Sequence, residues 1–188
     1  MKLLLIILSI LSSFFANLEK RTLQSDFAVT VEEGKGNVTQ VTGSITMQGK
    51  AFAFEMMDTK AAYDGKTMYI YSPETDELTL TEPDEEELVE SNPLLFAKAV
   101  SEACEVTERT SEDGTKTIVT LVPEDPEYVG VAKCVLTIRT ADLMPLQLEV
   151  KEGQKNTLLR LKDPKWVSIK PVFTIEPEET TFVNDLRF

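Results

Sequence analysis

From residue 25 to the end, the chain is a succession of short runs in which apolar and polar residues alternate, separated by clusters of Gly, Pro, Asn and Asp. Alternation at every second residue marks a half-buried strand, because successive side chains point to opposite faces. Phe27, Val29 and Val31 make one such set, and Val41, Ile45 and Met47 the next, with Gly43 between them. Phe52, Phe54 and Met56 follow, then Leu78 and Leu80. After a helical interruption the runs GTKTIVTLVP, AKCVLTIRT, PLQLEVKE and NTLLRLKD resume the pattern. A meander at roughly ten-residue spacing folds as one large antiparallel sheet, and a twisted sheet of this many strands curls. No repeat or low-complexity linker divides the chain, so residues 17–188 read as a single domain.

One strand departs from simple alternation. Over residues 66–71 Tyr69 and Tyr71 share one face, while Met68 and Ile70 share the other. A strand with one wet face is apolar on alternate positions only. Something must therefore cover the second face.

The stretch EPDEEELVESNPLLFAKAVSEAC, residues 82–104, is the clear helical insertion. Asp84 is an N-cap candidate, and Glu85, Glu86 and Glu87 fall in the first turn, where the helix dipole favours them. Pro93 ends this helix, and Leu94, Leu95, Phe96, Ala97, Ala99 and Val100 begin a second, very apolar one. The acidic run lacks the alternating Asp/Asn and Gly spacing of a calcium loop, so it reads as a solvated helix start.

The N-terminus MKLLLIILSILSSFFANLEK supports two readings. Residues 3–11 form an apolar run broken only by Ser9. That is the size of a signal-peptide core and too short to span a bilayer. Residues 1–16 would then be a secretory signal, although cleavage after Ala16 puts Phe14 where a small residue is wanted. Leu11, Phe14, Phe15 and Leu18 also have the spacing of an amphipathic helix. An export segment running directly into the first helix of the domain accommodates both patterns.

Composition excludes several chemistries. There is no histidine, which removes Ser-His-Asp and Cys-His catalysis and His-ligated zinc. The formal net charge of −13 argues against a nucleic-acid partner, whose phosphates need Lys and Arg, and fits either a chain kept monomeric by self-repulsion or one that meets a basic partner surface. Cys104 and Cys134, with 29 residues between them, form either one disulfide or two buried thiols. No carboxylate pair stands out among the 32 Asp and Glu. The set Phe27, Met47, Phe52, Phe54, Met56, Tyr69, Tyr71, Leu78 and Leu80 is either ordinary core or the lining of an apolar cavity.

Five segments, in order, resemble the bacterial outer-membrane lipoprotein carrier proteins (LolA-like). They are SDFAVTV (25–31), DGKTMYIYSPETDELTLTEP (64–83), NPLLFAKAV (92–100), LMPLQLEV (143–150) and FTIEPEETTFVNDLR (173–187). The resemblance implies an incomplete antiparallel β-barrel, mainly β with a few helices, whose apolar concave face lies under a helical lid. It implies a periplasmic carrier in a Gram-negative bacterium, without cofactor, metal or catalytic residue. Such a carrier takes the acyl chains of a lipoprotein from an inner-membrane exporter to an outer-membrane acceptor. The nine apolar residues above would then be cargo-binding, with Leu94, Leu95 and Phe96 in the lid. Phe52 matches a cavity-facing aromatic of the family, so Phe52→Glu is expected to abolish loading and largely spare the fold. Where the family often has a lid-latching Arg, this chain has Lys50, which lacks Arg's planar, bidentate contacts. Cleavage after Ala16 would leave only residues 17–26 for the family's first helix. The alternative function on the same fold is a lipid- or lipoprotein-sensing regulator.

Overall fold

The structure is a computed structural model and describes residues 9–34, 36–168 and 170–187. A helix, α1 (Ile10–Lys20), leads into the long strands β1 (Thr22–Glu33) and β2 (Asn37–Gln48). Four shorter strands follow: β3 (Ala51–Met56), β4 (Thr59–Tyr63), β5 (Met68–Ser72) and β6 (Glu77–Thr81). Next come α2 (Glu85–Ser91) and α3 (Pro93–Ser101), then β7 (Cys104–Thr110) and β8 (Lys116–Pro123). The short α4 (Pro126–Val129) precedes β9 (Lys133–Arg139), β10 (Met144–Glu152), β11 (Lys155–Val167) and β12 (Phe182–Asp185).

All twelve strands form one sheet in the order β12-β6-β5-β4-β3-β2-β1-β11-β10-β9-β8-β7. Every pairing is antiparallel except β12 on β6. β7 and β12 remain edges, so the sheet is open, as an incomplete barrel requires. The step that sequence could not supply is β1 on β11, which joins Phe27 to Leu161 and Val29 to Leu159 across most of the chain.

Local chemistry fixes the turns and helix ends. Asp64 Oδ1 accepts from the backbone N–H of Lys66 and Thr67, holding the β4–β5 turn. Asp84 accepts from Glu87 N while Glu87 accepts from Asp84 N, a reciprocal cap on α2. The acidic run is thus used at a helix start. Asn92 ends α2 and caps α3, its Oδ1 accepting from Leu94 N and Leu95 N.

α1 crosses the concave face. At its start Glu108 of β7 accepts from Ile10 N at 3.1 Å and Leu11 N at 2.9 Å. At its end Gly49 N, in the β2–β3 turn, donates to Leu18 O. Leu11, Phe14 and Leu18 are buried, Phe14 completely. They pack with Leu23, Met47 and Phe52 into a continuous apolar cluster that reaches Val119, Leu136 and Ile138. A division of the chain after Ala16 would fall inside this packed helix. Residues 1–8 of the proposed export signal lie outside the described residues.

The cover for the second face of β5 comes from the C-terminal segment. Residues 170–181 run along the outer face, where Thr174 and Ile175 line a depression with Ser44, Thr46, Ala53 and Ala62. Asp76 accepts from Thr180 Oγ1, Thr181 Oγ1 and the Tyr71 hydroxyl, and its carbonyl accepts from Phe182 N. β12 then pairs along β6.

Candidate functional site

Cross-strand register decides which residues meet, because directly paired residues share a face. Met47 pairs with Phe52, Phe52 with Tyr63, and Tyr63 with Met68. Ile45 pairs with Phe54, and Gly43 with both Phe27 and Met56. These residues occupy the concave face. Tyr69 pairs with Ala62 and Leu80, and Tyr71 with Lys60 and Leu78. Tyr69, Tyr71, Leu78 and Leu80 are therefore on the outer face, under the C-terminal segment. Their assignment to the cavity is corrected: Met68 opposite Tyr63 sets the parity of β5, and a one-residue change of parity moves every side chain to the other face.

The concave face has a solid half and a hollow half. In the solid half Met47 and Phe52 are completely buried with Leu23 and Phe14. Phe52 lies 6.0 Å, ring centre to ring centre, from both Phe54 and Tyr63. Phe52→Glu would place a carboxylate in this dry cluster, at a cost of several kcal/mol, so the expectation that it spares the fold is also corrected.

In the hollow half lies a cavity of about 270 Å³. Its floor is Phe27, Val29, Val41, Ile45, Phe54 and Met56, its far wall is Leu159 and Leu161 of β11, and its roof is the α2–α3 junction with Pro93 and Leu94. Gly43 shapes the floor. A Cβ there would stand 2.7 Å from Phe27 Cζ and would collide with the Glu55 carbonyl oxygen, so only glycine lets the Phe27 ring lie flat on β2. Of the nine expected lining residues, Phe27, Phe54 and Met56 line the hollow, and Met47 and Phe52 border it as core. Val29, Val41 and Ile45 were visible as same-face residues of their strands. Leu159 and Leu161 alternate in sequence too, but nothing there shows that β11 lies beside β1.

The roof is held at several points. Leu94 lines the cavity, Leu95 is buried in the core, and Phe96 is half-buried against it. Lys50 Nζ is 3.1 Å from Glu85 Oε1, joining the β2–β3 turn to the first turn of α2. Lys98 of α3 bonds Glu19 of α1 at 2.7 Å. The Lys50 pair is well exposed on both sides, so it contributes no more than about 1 kcal/mol.

Cys104 and Cys134 are free thiols, and the disulfide between them is not formed. β8 runs between their strands, with Cys104 opposite Pro123 and Cys134 opposite Leu121, so their backbones are more than two strand spacings, roughly 9.5 Å, apart. A disulfide requires Cα atoms within about 7 Å. Burial raises both thiols, Cys134 to about 12. Among the described residues no group of three or more His, Cys, Asp or Glu could hold a metal ion. No helix among them is long and apolar enough to cross a membrane.

Residues 22–154 match the family described as outer membrane lipoprotein carrier protein LolA. The chain belongs to this family. The LolA match runs from β1 through β10, so it spans the cavity floor, both roof helices and most of the solid half. No curated protein matches the chain in sequence. Among solved structures, an uncharacterized conserved protein from Thermus thermophilus is similar over 93% of this chain and 96% of its own, with 13% identity and a TM-score of 0.60. MucB is similar over 88% of this chain and 62% of its own, with 10% identity and a TM-score of 0.52. At such identities the likeness is one of fold alone.

Proposed function

We propose that the protein is a carrier of acylated lipoproteins, moving them through the periplasm of a Gram-negative bacterium from an inner-membrane exporter to an outer-membrane acceptor. The observation that carries this reading is the apolar hollow between the sheet and the α2–α3 roof, in a chain of the LolA family. The high negative charge keeps the carrier soluble and monomeric. No catalytic residue or cofactor is needed, because the reaction is transfer of an intact ligand. Lys50 stands where the family often has its latch, and its exposed pair with Glu85 holds the roof only weakly.

The size of the hollow bears on how cargo is released. At about 30 Å³ per water-sized group the cavity, with the roof in place, holds roughly nine methylenes. At about 0.8 kcal/mol each, that is about 7 kcal/mol, weaker than micromolar binding before any ordering cost. A complete chain of about fifteen carbons would gain on the order of 12 kcal/mol and be hard to hand over. Cargo thus enters by displacing Leu94 and the junction around it, and only the difference between roof contacts and acyl contacts appears as affinity. Return of the roof drives release.

The test is delivery. The wild-type protein is loaded with a lipidated protein and presented to outer membranes bearing the acceptor. The carrier reading expects intact cargo to pass to the membrane, and expects Val41→Glu, a charge on the cavity floor, to abolish loading. A cleaved product would point to an enzyme. Capture without delivery would point to the sensing regulator.

A further inference from the structure

Within the apolar lining one group is out of place. Asn92, at the α2–α3 junction, is 1% exposed and forms part of the cavity wall. Its two polar atoms have different fates. Oδ1 accepts from Leu94 N at 3.0 Å and from Leu95 N at 3.4 Å, so the oxygen is committed to capping α3. Nδ2 is buried and has no acceptor. The orientation of the amide follows from this: the two N–H donors of α3 require the oxygen, which leaves the amine as a surplus donor. An unsatisfied buried amine destabilises the fold. Capping alone does not need that cost, since Asp or Ser caps a helix equally well with no amine to leave over.

The ionisable lining narrows what could satisfy this amine. Among the described residues lining the cavity Glu90 is the one ionisable group, and none is Lys or Arg. A carboxylate ligand would find no counter-charge in an apolar space, and the one charged lining residue, the solvent-exposed Glu90, has the same sign. A neutral carbonyl at the head of an apolar chain meets neither difficulty.

Building on the carrier reading above, we infer that Asn92 is a specificity-determining contact, donating from Nδ2 to the neutral carbonyl of an acyl ester or amide whose chain occupies the cavity. The same residue caps α3, so carbonyl recognition is placed at the joint about which the roof moves. The hydrogen bond forms as the junction shifts to admit the chain. The cavity thereby selects acylated molecules over free fatty acids and over plain hydrocarbon.

The test compares three ligands of matched length: methyl decanoate, decyl methyl ether and the decanoate ion, each displacing an environment-sensitive fluorescent acyl probe from the full chain. Asn92→Asp and Asn92→Ser keep a cap for α3 and remove the amine, and thermal melts of both check the fold. Comparing ester-to-ether ratios between proteins cancels the ligands' different affinities for water. A net hydrogen bond predicts that the ester-to-ether affinity ratio falls about five-fold in both variants relative to wild type. In the wild-type protein the decanoate ion binds more weakly than its methyl ester at pH 8. An unchanged ester-to-ether ratio in the folded variants overturns the role of Asn92 and leaves the carrier reading standing. Failure of both neutral ligands to bind the wild-type protein overturns both.

Discussion

Phe52 and Phe54 are two residues apart on β3, point to the same face, and lie with ring centres 6.0 Å apart and planes within 16°. Their surroundings differ. Phe52 is completely buried between α1 and the sheet, whereas Phe54 is half-buried and forms cavity wall. Phe52→Ala removes a ring packed on all sides and should cost about 3–5 kcal/mol. For a chain of this length that corresponds to a melting temperature lower by roughly 6–20 °C. Phe54→Ala removes a ring with open space on one side. It gives up only part of its transfer energy, roughly 1–2 kcal/mol, and leaves no new sealed void because the space joins the existing hollow. Urea unfolding of the two variants, with the slope checked for constancy, measures the difference directly. Phe54→Ala should also admit longer acyl chains in probe displacement. Equal destabilisation by the two substitutions would refute the division of the concave face into solid and hollow halves.

Four other outcomes follow from the same geometry. A chain starting at Asn17 lacks Leu11 and Phe14, each worth about 2–5 kcal/mol, against a total stability of about 5–15 kcal/mol. By circular dichroism it should be unfolded or far less stable than a chain starting at Ser9, and equal melting curves would contradict the packed α1. The Asp113 carboxyl should titrate at about 2 by carbon NMR, because the Ser111 hydroxyl and then Thr115 donate to it, and Ser111→Ala should raise it. This folded value lies below the unfolded one, so its small stabilisation is complete above pH 4 and is lost as pH falls through 2. Thiol titration of the native protein should leave Cys134 unreacted, with both cysteines reacting after unfolding; a bridged pair would react at neither stage without reductant. Lys50→Met should shift the unfolding free energy by less than about 1 kcal/mol, and a larger loss would mean that the exposed pair with Glu85 holds more of the roof than its solvation suggests.

What sequence made legible was local. The strands at Phe27–Val31 and Phe52–Met56, the cap at Asp84 and the break at Pro93 each follow from patterns within a few residues, and all reappear in the structure. α1 was legible as a spacing, and its apolar run also satisfies an export signal; in the structure that run is helical from Ile10 and packs against Glu108 and Gly49. The parity of β5 was not legible. Both of its faces are apolar because a segment about one hundred residues later covers the outer one, and only pairing with β4 shows which face is which. The far wall, Leu159 and Leu161, was hidden for the same reason: a strand's partner across a long loop leaves no mark on the strand itself. In sequence Asn92 is legible only as the residue before a proline, because a missing hydrogen bond is a property of surroundings and not of sequence.

The central claim is that an acyl chain lies between the sheet and the α2–α3 junction. Methyl-labelled protein with bound methyl decanoate allows the contacts to be read as nuclear Overhauser effects. The account predicts contacts from the ligand chain to the methyls of Val29, Val41, Ile45, Leu159 and Leu161, and none to Leu78 or Leu80. Contacts to Leu78 and Leu80, or a bound ligand touching none of the five, would contradict it.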